Sequence, residues 1–273
     1  MDKYYKKITP KKSFRFFNFQ ELINHKEILR ALVIKDLKVM YVQTFLGYGW
    51  AIINPLLTVI ILSIVFGGIA KIHTGEIPYV LFALAGVSAW NYISNVISES
   101  GRAVLGARDL ISKVYFPRVI LPLSKAVVGL VEFGISLIGL FVLMLFMGYA
   151  PSVNLFFLPL FLLLIIMSGL GIGIWISALS ILYRDFFYII PFFLRVGMFI
   201  TPVAFPFSSI PEKYRLLVYL NPLAAPVEGL RWSILGGELS GQYFLISLSC
   251  CLVFFFSSLW YFNRVEHRFA DTI

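Results

Sequence analysis

The chain has 273 residues, 59% of them apolar and 14% charged, with a mean hydropathy of +0.87. A soluble domain carries roughly 45–50% apolar and about 25% charged residues, so a water-soluble globular fold is excluded. The formal net charge of +9 could serve nucleic-acid binding, but the placement of the charges is better explained by membrane topology.

No charged side chain lies between Lys38 and Lys71, between Glu76 and Glu99, from Phe133 to Tyr183, or from Leu239 to Asn263. An apolar run of about 20 residues crosses the hydrocarbon core of a bilayer. The stretch 133–183 is too long for one crossing, and GYAPSVN (148–154) divides it. The pattern predicts an all-α polytopic membrane protein with six transmembrane helices, at about 50–70, 78–98, 119–147, 153–182, 186–206 and 242–262. Residues 1–49 are then a cytoplasmic tail with an interface helix, and 50–273 the transmembrane domain. Ten Lys/Arg precede Trp50 and four fall in 99–118, with Arg184, Arg264 and Arg268 on the same side. The opposite loops hold Lys71, Lys213, Arg215 and Arg231. Such a bias places both termini in the cytoplasm.

Along the chain, MDKYYKKITPKKSFRF is basic but lacks the apolar core and small-residue site of a cleavable signal. NFQE (18–21) has the form of a capping box. Leu22, Ile28, Leu29, Leu32, Val33, Leu37, Met40 and Tyr41 follow at helical spacing, with Lys26, Arg30, Lys35 and Lys38 between them. Such a helix lies in the headgroup plane and either braces the first crossing or is simply solvated. Trp50 stands where an interfacial aromatic anchor belongs. The second crossing holds Tyr79, Phe82, Trp90 and Tyr92, with Ser88, Asn91, Ser94 and Asn95 nearby. Rings combine apolar faces with large area, as sugar C–H faces require; the alternative is ordinary packing and interfacial belts.

The loop GARDLISKVYFPRVILPL (106–123) interrupts this apolar chain with Arg108, Asp109, Lys113 and Arg118. A helix over about 99–115, ended by Pro117, is either a rigid lever or a charged connector that only obeys topology rules. In the third and fifth crossings, Glu132 and Arg195 could reach similar depths at 1.5 Å per residue, so an ion pair is expected, unless they line an aqueous channel. Gly169, Gly173 and Ser177 give the fourth crossing a smooth face for close helix approach. FSSIPEKYRLLVYLNP and AAPVEGLRWSILGG read as two short amphipathic helices dipping into the outer leaflet. Cys250 and Cys251 suit packing, and His25, His73 and His267 are too scattered for a common metal.

LISKVYFPRVILPL resembles the signature loop of the membrane subunits of type-2 ABC exporters for polysaccharides, the permeases for lipopolysaccharide O antigen, teichoic acid and capsule. KDLKVMYVQTFLGYGWAIINPLL (35–57), YRDF (183–186), TPVAFPFSSIP (201–211) and YLNPLAAPVEGLR (219–231) are similar to other parts of that family, in the same order. The resemblance implies two copies of this chain forming a channel, each joined on the cytoplasmic side to one copy of an ABC ATPase. The loop helix becomes the coupling element, with Arg108, Asp109 and Lys113 docking and Pro117 and Arg118 fixing its corner. The N-terminal helix, with Lys35, Asp36 and Lys38, braces that interface, and the two outer helices form a gate. The implied cargo is a lipid-linked polysaccharide carried across a bacterial cytoplasmic (inner) membrane, with Tyr79, Phe82, Trp90 and Tyr92 along its path.

No GxxxxGK[ST] loop occurs, so ATP and its Mg ion belong to the partner and this chain binds no cofactor of its own. Few ionisable groups lie within the crossings, which disfavours an ion-coupled carrier. An integral membrane enzyme acting on lipid-linked sugars has still less support, because no aspartate-rich metal loop is present.

Overall fold

The computed structural model describes residues 19–41, 47–183 and 185–266, and every regular element among them is helical. In chain order these are α1 (Phe19–Asn24), α2 (Lys26–Tyr41), α3 (Trp50–Leu62, continued by the wider π turns of Ser63–Ile69), α4 (Tyr79–Gly106), α5 (Arg108–Lys113), α6 (Ile120–Phe146), α7 (Leu158–Leu182), α8 (Phe186–Ile200), α9 (Glu212–Tyr219), α10 (Ala224–Leu235) and α11 (Gln242–Val265). The expected cap at Asn18 lies outside the described residues; α1 starts immediately after it.

Five helical segments are long and apolar enough to cross a membrane: α3 with its π turns, α4, α6, α7 with the 3₁₀ turn before it, and α11. α8 is apolar but has 15 residues, about 22 Å at 1.5 Å per residue, short of a core of about 30 Å. The crossing expected at 186–206 therefore ends at Ile200. Thr201 is extended, and Pro202 and Pro206 deny the chain the hydrogen bonds of a further helical turn.

α4 is the central mast and packs against α3, α6, α7, α8 and α10. Its small residues Ala83, Ala85, Gly86, Ser88 and Ala89 are buried, so neighbouring backbones come close. The register is legible in the contacts. Gly169 lies on Val96 and Gly173 on Ser100, and Ser180 Oγ donates to Gly101 O at 3.1 Å, so α4 and α7 run parallel. Tyr92 donates to Ala126 O at 3.2 Å and Ser100 to Pro122 O at 3.1 Å, so α6 runs antiparallel to α4. The smooth face of α7 thus packs on α4. α6 stops at Gly148, whose positive φ of 66° lets Tyr149 N–H reach back to Met144 O in a Schellman-type cap.

Two expectations need correction. The second crossing does not end near 98, because α4 continues to Gly106. Ser100, Gly101, Ala103 and Val104 are buried on its inner side while Glu99 and Arg102 face outward. No helix-breaking residue interrupts this stretch, so only α5, six residues long, is separate. Nor is α10 an amphipathic helix on the leaflet: all its residues but Trp232 are buried, packed against α4, α7 and α11.

A side chain at Gly173 would place its Cβ 2.7 Å from Ser100 Cβ. Gly173→Val should therefore separate α7 from α4 and destabilise the fold by about 1–3 kcal/mol. The check is thermal unfolding of detergent-purified protein; an unchanged midpoint contradicts this packing.

Candidate functional site

At one end of the bundle, α4 breaks at Ala107 and α5 carries Arg108, Asp109 and Lys113, all exposed. Val114 opens an extended segment in which Tyr115 is 80% exposed and Phe116 is buried. The charges expected for docking thus share a surface with an exposed aromatic that the sequence did not single out. Pro117 and Arg118 form the corner into α6. Arg118 N–H donates to Glu266 Oε1 at 2.9 Å, and the Arg118 guanidinium donates to Glu266 O. The corner is therefore tied to the end of α11.

α2 packs against α6, with Ile28, Leu29 and Leu32, and Leu22 of α1, turned to the core. Lys35 and Lys38 are exposed, but Asp36 is turned inward. Its carboxylate meets Lys125 Nζ at 3.0 Å, and Glu99 approaches the same ammonium at 3.9 Å. The Asp36–Lys125 pair is only about a quarter exposed, which makes it worth more than a surface pair, while the Glu99 contact is loose and solvated. These three residues couple α2, α4 and α6.

On the opposite side lies a buried polar cluster that the sequence reading missed. Arg231 of α10 is 5% exposed. Its guanidinium lies 3.6 Å from the centroid of the Phe82 ring. It donates to Phe82 O at 3.3 Å, Pro202 O at 3.0 Å and Val203 O at 2.8 Å. Gly86 makes this possible, since a Cβ there would stand 2.4 Å from Arg231 Nη2. Glu228, one turn earlier, accepts from Tyr219 Oη at 2.7 Å and from Ser240 N–H and Oγ at 2.7 and 2.8 Å. Burial pushes the Glu228 carboxyl above its ordinary range, against those hydrogen bonds and the Arg231 charge. Burial likewise pushes Arg231 down to about 10.

Of the four aromatics expected along a sugar path, Phe82, Tyr79 and Tyr92 are engaged with protein groups in this conformation, while Trp90 also lines the groove between α4 and α8. Phe82 is covered by Arg231, and Tyr79 donates to Ala204 O at 2.9 Å. Tyr92 is buried and stacks on Phe133 at 5.0 Å. Trp90 is 4% exposed, with Gly197 of α8 against its ring edge. α8, by contrast, presents open rings at Tyr188, Phe192, Phe193 and Phe199.

Between α4 and α8 runs a groove of about 270 Å³ lined by Trp90, Ser94, Asn95, Ser98, Pro191, Leu194 and Arg195. The expected ion pair between Glu132 and Arg195 is not formed among the described residues. Asn95 Nδ2 donates to Glu132 Oε2 at 3.3 Å, and Asn95 shares the groove wall with Arg195. Arg195 is the one charged residue of an otherwise apolar helix, and a charged side chain at mid-bilayer would cost about 2.5–3.5 kcal/mol on the insertion scale. Among the described residues, no group of three His, Cys, Asp or Glu could hold a metal ion.

Residues 27–235 match the family model of the ABC-2 type transporter. This protein is an ABC-2 family member. Over 249 residues it is 26% identical to an O-antigen export system permease protein of Klebsiella pneumoniae, covering 90% of this chain and 95% of that one. A permease of the same description from Myxococcus xanthus is 29% identical over 76% of this chain and 79% of its own. The polysialic acid transport protein of Escherichia coli is 24% identical, covering 79% and 84%. The ABC-2 protein is thus a transport permease rather than an enzyme, with ATP hydrolysis assigned to a separate subunit.

Removing the Arg231 guanidinium from this permease leaves three carbonyls and the Glu228 charge without it. Arg231→Ala should cost roughly 3–5 kcal/mol, and Gly86→Ala should displace the same group; both are checked by the thermal midpoint. The raised Glu228 value sets a sign: its stabilising contribution is present below the unfolded carboxyl value and is lost as pH rises through the folded one. Glu228→Gln should flatten that slope in unfolding measured from pH 4 to 8, a window chosen about the usual carboxyl range.

Proposed function

We propose that this chain is the membrane subunit of an ATP-driven exporter that moves a lipid-linked polysaccharide, O antigen in the first instance, across the inner membrane. The observation that carries the reading is near full-length similarity to O-antigen export permeases within the ABC-2 family. In this reading six segments traverse the bilayer, α8 being the shortest, and residues 1–49 and the C-terminus lie in the cytoplasm. Two copies of the chain form the conduit, and two ATPase subunits bind ATP and Mg beneath it.

α5 is the docking element in this scheme. Arg108, Asp109 and Lys113 meet the ATPase, with Tyr115 as an apolar anchor beside them; buried aromatic anchors within a polar rim are what such interfaces use. Lys35 and Lys38 face the same partner, while Asp36 passes the load to α6 through Lys125. The Arg118–Glu266 contact makes α6 and α11 move with that corner. α9 and α10 form the outer gate, with α10 as its fixed part. The glycan runs along the open aromatic face of α8 rather than over Phe82 and Tyr92. The similarity to the polysialic acid transport protein supports capsule export as a second reading.

A photocrosslinker at position 108 or 113 should capture the ATPase in membranes. The double variant Arg108→Glu/Lys113→Glu should reduce ATPase co-purification and export about tenfold or more, as expected for reversed charges at an interface. Capture of no nucleotidase from either position would sink the docking assignment.

A further inference from the structure

The groove between α4 and α8 is distinct from the docking surface and from the buried outer cluster. Its only charged wall residue is Arg195. That residue is exposed, on a helix with no other charged residue from Phe186 to Ile200. Among the described residues it has no hydrogen bond or ion pair. The nearby carboxylate does not neutralise it: Glu132 belongs to α6 and is engaged by the Asn95 amide. The groove presents this cation with Ser94 and Ser98 on one side and the apolar Pro191 and Leu194 on the other. A planar guanidinium donates two parallel N–H bonds to an oxyanion, the Ser98 hydroxyl adds a single donor while that of Ser94 is given to Asn91 O at 3.1 Å, and an apolar wall suits the start of a lipid chain.

We propose that this groove is a binding site for the phosphate oxyanions that join a glycan to its lipid carrier, with Arg195 as the cation. The proposal rests on the export reading above and names the part of the cargo this site holds. A lipid-linked glycan must bring its phosphate or diphosphate past the hydrocarbon core, where an unpaired charge is costly. A cation partway along α8 lowers that cost without a resident counter-ion. Trp90 and Gly197 set the width of the groove, since a side chain at Gly197 would place its Cβ 2.9 Å from the Trp90 ring.

The test uses the full chain co-purified with its ATPase in nanodiscs, as wild type, Arg195→Lys and Arg195→Gln. Binding of a short polyprenyl diphosphate is measured with inorganic diphosphate and phosphatidylglycerol as competitors. Arg195→Gln should weaken polyprenyl diphosphate binding about tenfold or more, the loss expected for charge-assisted hydrogen bonds, and Arg195→Lys should retain most of it. Inorganic diphosphate should compete at higher concentration, as a free source of the same oxyanion. Equal binding by wild type and Arg195→Gln overturns the proposal. So does displacement by phosphatidylglycerol at matched concentration, which would make the ligand a bulk headgroup. Loss of self-association in Arg195→Gln also overturns it, assigning the guanidinium to a neighbouring copy. Crosslinking from positions 108 and 113 is read on the same preparation: if ATPase capture persists while Arg195→Gln binds normally, only the groove assignment falls, whereas absence of capture tells against the export reading itself.

Discussion

The outer half of the molecule depends on one buried cation. Arg231 is dehydrated, and its guanidinium is satisfied by carbonyls from two other parts of the chain, Phe82 near the start of α4 and Pro202–Val203 just past the end of α8. A buried charge is tolerated only when its donors are met, so these three pieces must stay in register. α8 ends where it does partly for this reason: carbonyls that a longer helix would have used internally are instead presented to the guanidinium. α10, which carries Arg231, is held in turn by Ser247 Oγ accepting from Ala225 N–H at 2.9 Å and by Phe161 lying flat on Gly229. The Tyr219–Glu228–Ser240 cluster then joins α9 to the segment before α11. The outer region is therefore a clamped unit.

The half that carries α2 and α5 is built on different physics. Its ties are Asp36–Lys125, the looser Glu99–Lys125 contact and the Arg118–Glu266 corner, all partly solvated. The exposed Glu99 contact rearranges at little cost, because water replaces a lost partner. The Asp36–Lys125 pair is less exposed, and the Arg231 cluster has no water to substitute for its partners. The ties near α5 are thus more solvated than those that hold α10.

Much of this was legible in the sequence where one helix decides the outcome alone. The ends of α3, α6, α7 and α11 fall within a few residues of the positions expected from charge-free runs, and the Gly169–Gly173–Ser177 face packs as small residues should. The inward face of α2 was readable for the same reason, since 3.6-residue spacing is a local property. Failures arose where a residue's environment is set by distant chain. Arg231 counts in sequence as one more loop cation, yet it is paired with a carbonyl 149 positions away. Phe82 and Tyr92 looked like available rings, but only the folded positions of Arg231 and Phe133 show that their faces are taken. The end of the second crossing was misplaced because Glu99 and Arg102 signal water, while the alternate face of the same turns is buried against α6 and α7.

The short length of α8 links these observations. At about 22 Å it leaves several ångströms of a typical hydrocarbon core unspanned, a mismatch met by local thinning or by polar neighbours. Its exposed face carries Tyr188, Phe192, Phe193 and Phe199 together with Arg195: the phenylalanines suit lipid, whereas Tyr188 favours an interface and the cation favours water or an anion. α8 also touches the rest of the protomer least, resting on α4 and α7 alone among its stronger contacts, with Gly197 fitted closely to Trp90. A helix that is short and amphiphilic, with few neighbours, is thus tied to the rest of the chain just past its C-terminal end, where Arg231 donates to the carbonyls of Pro202 and Val203.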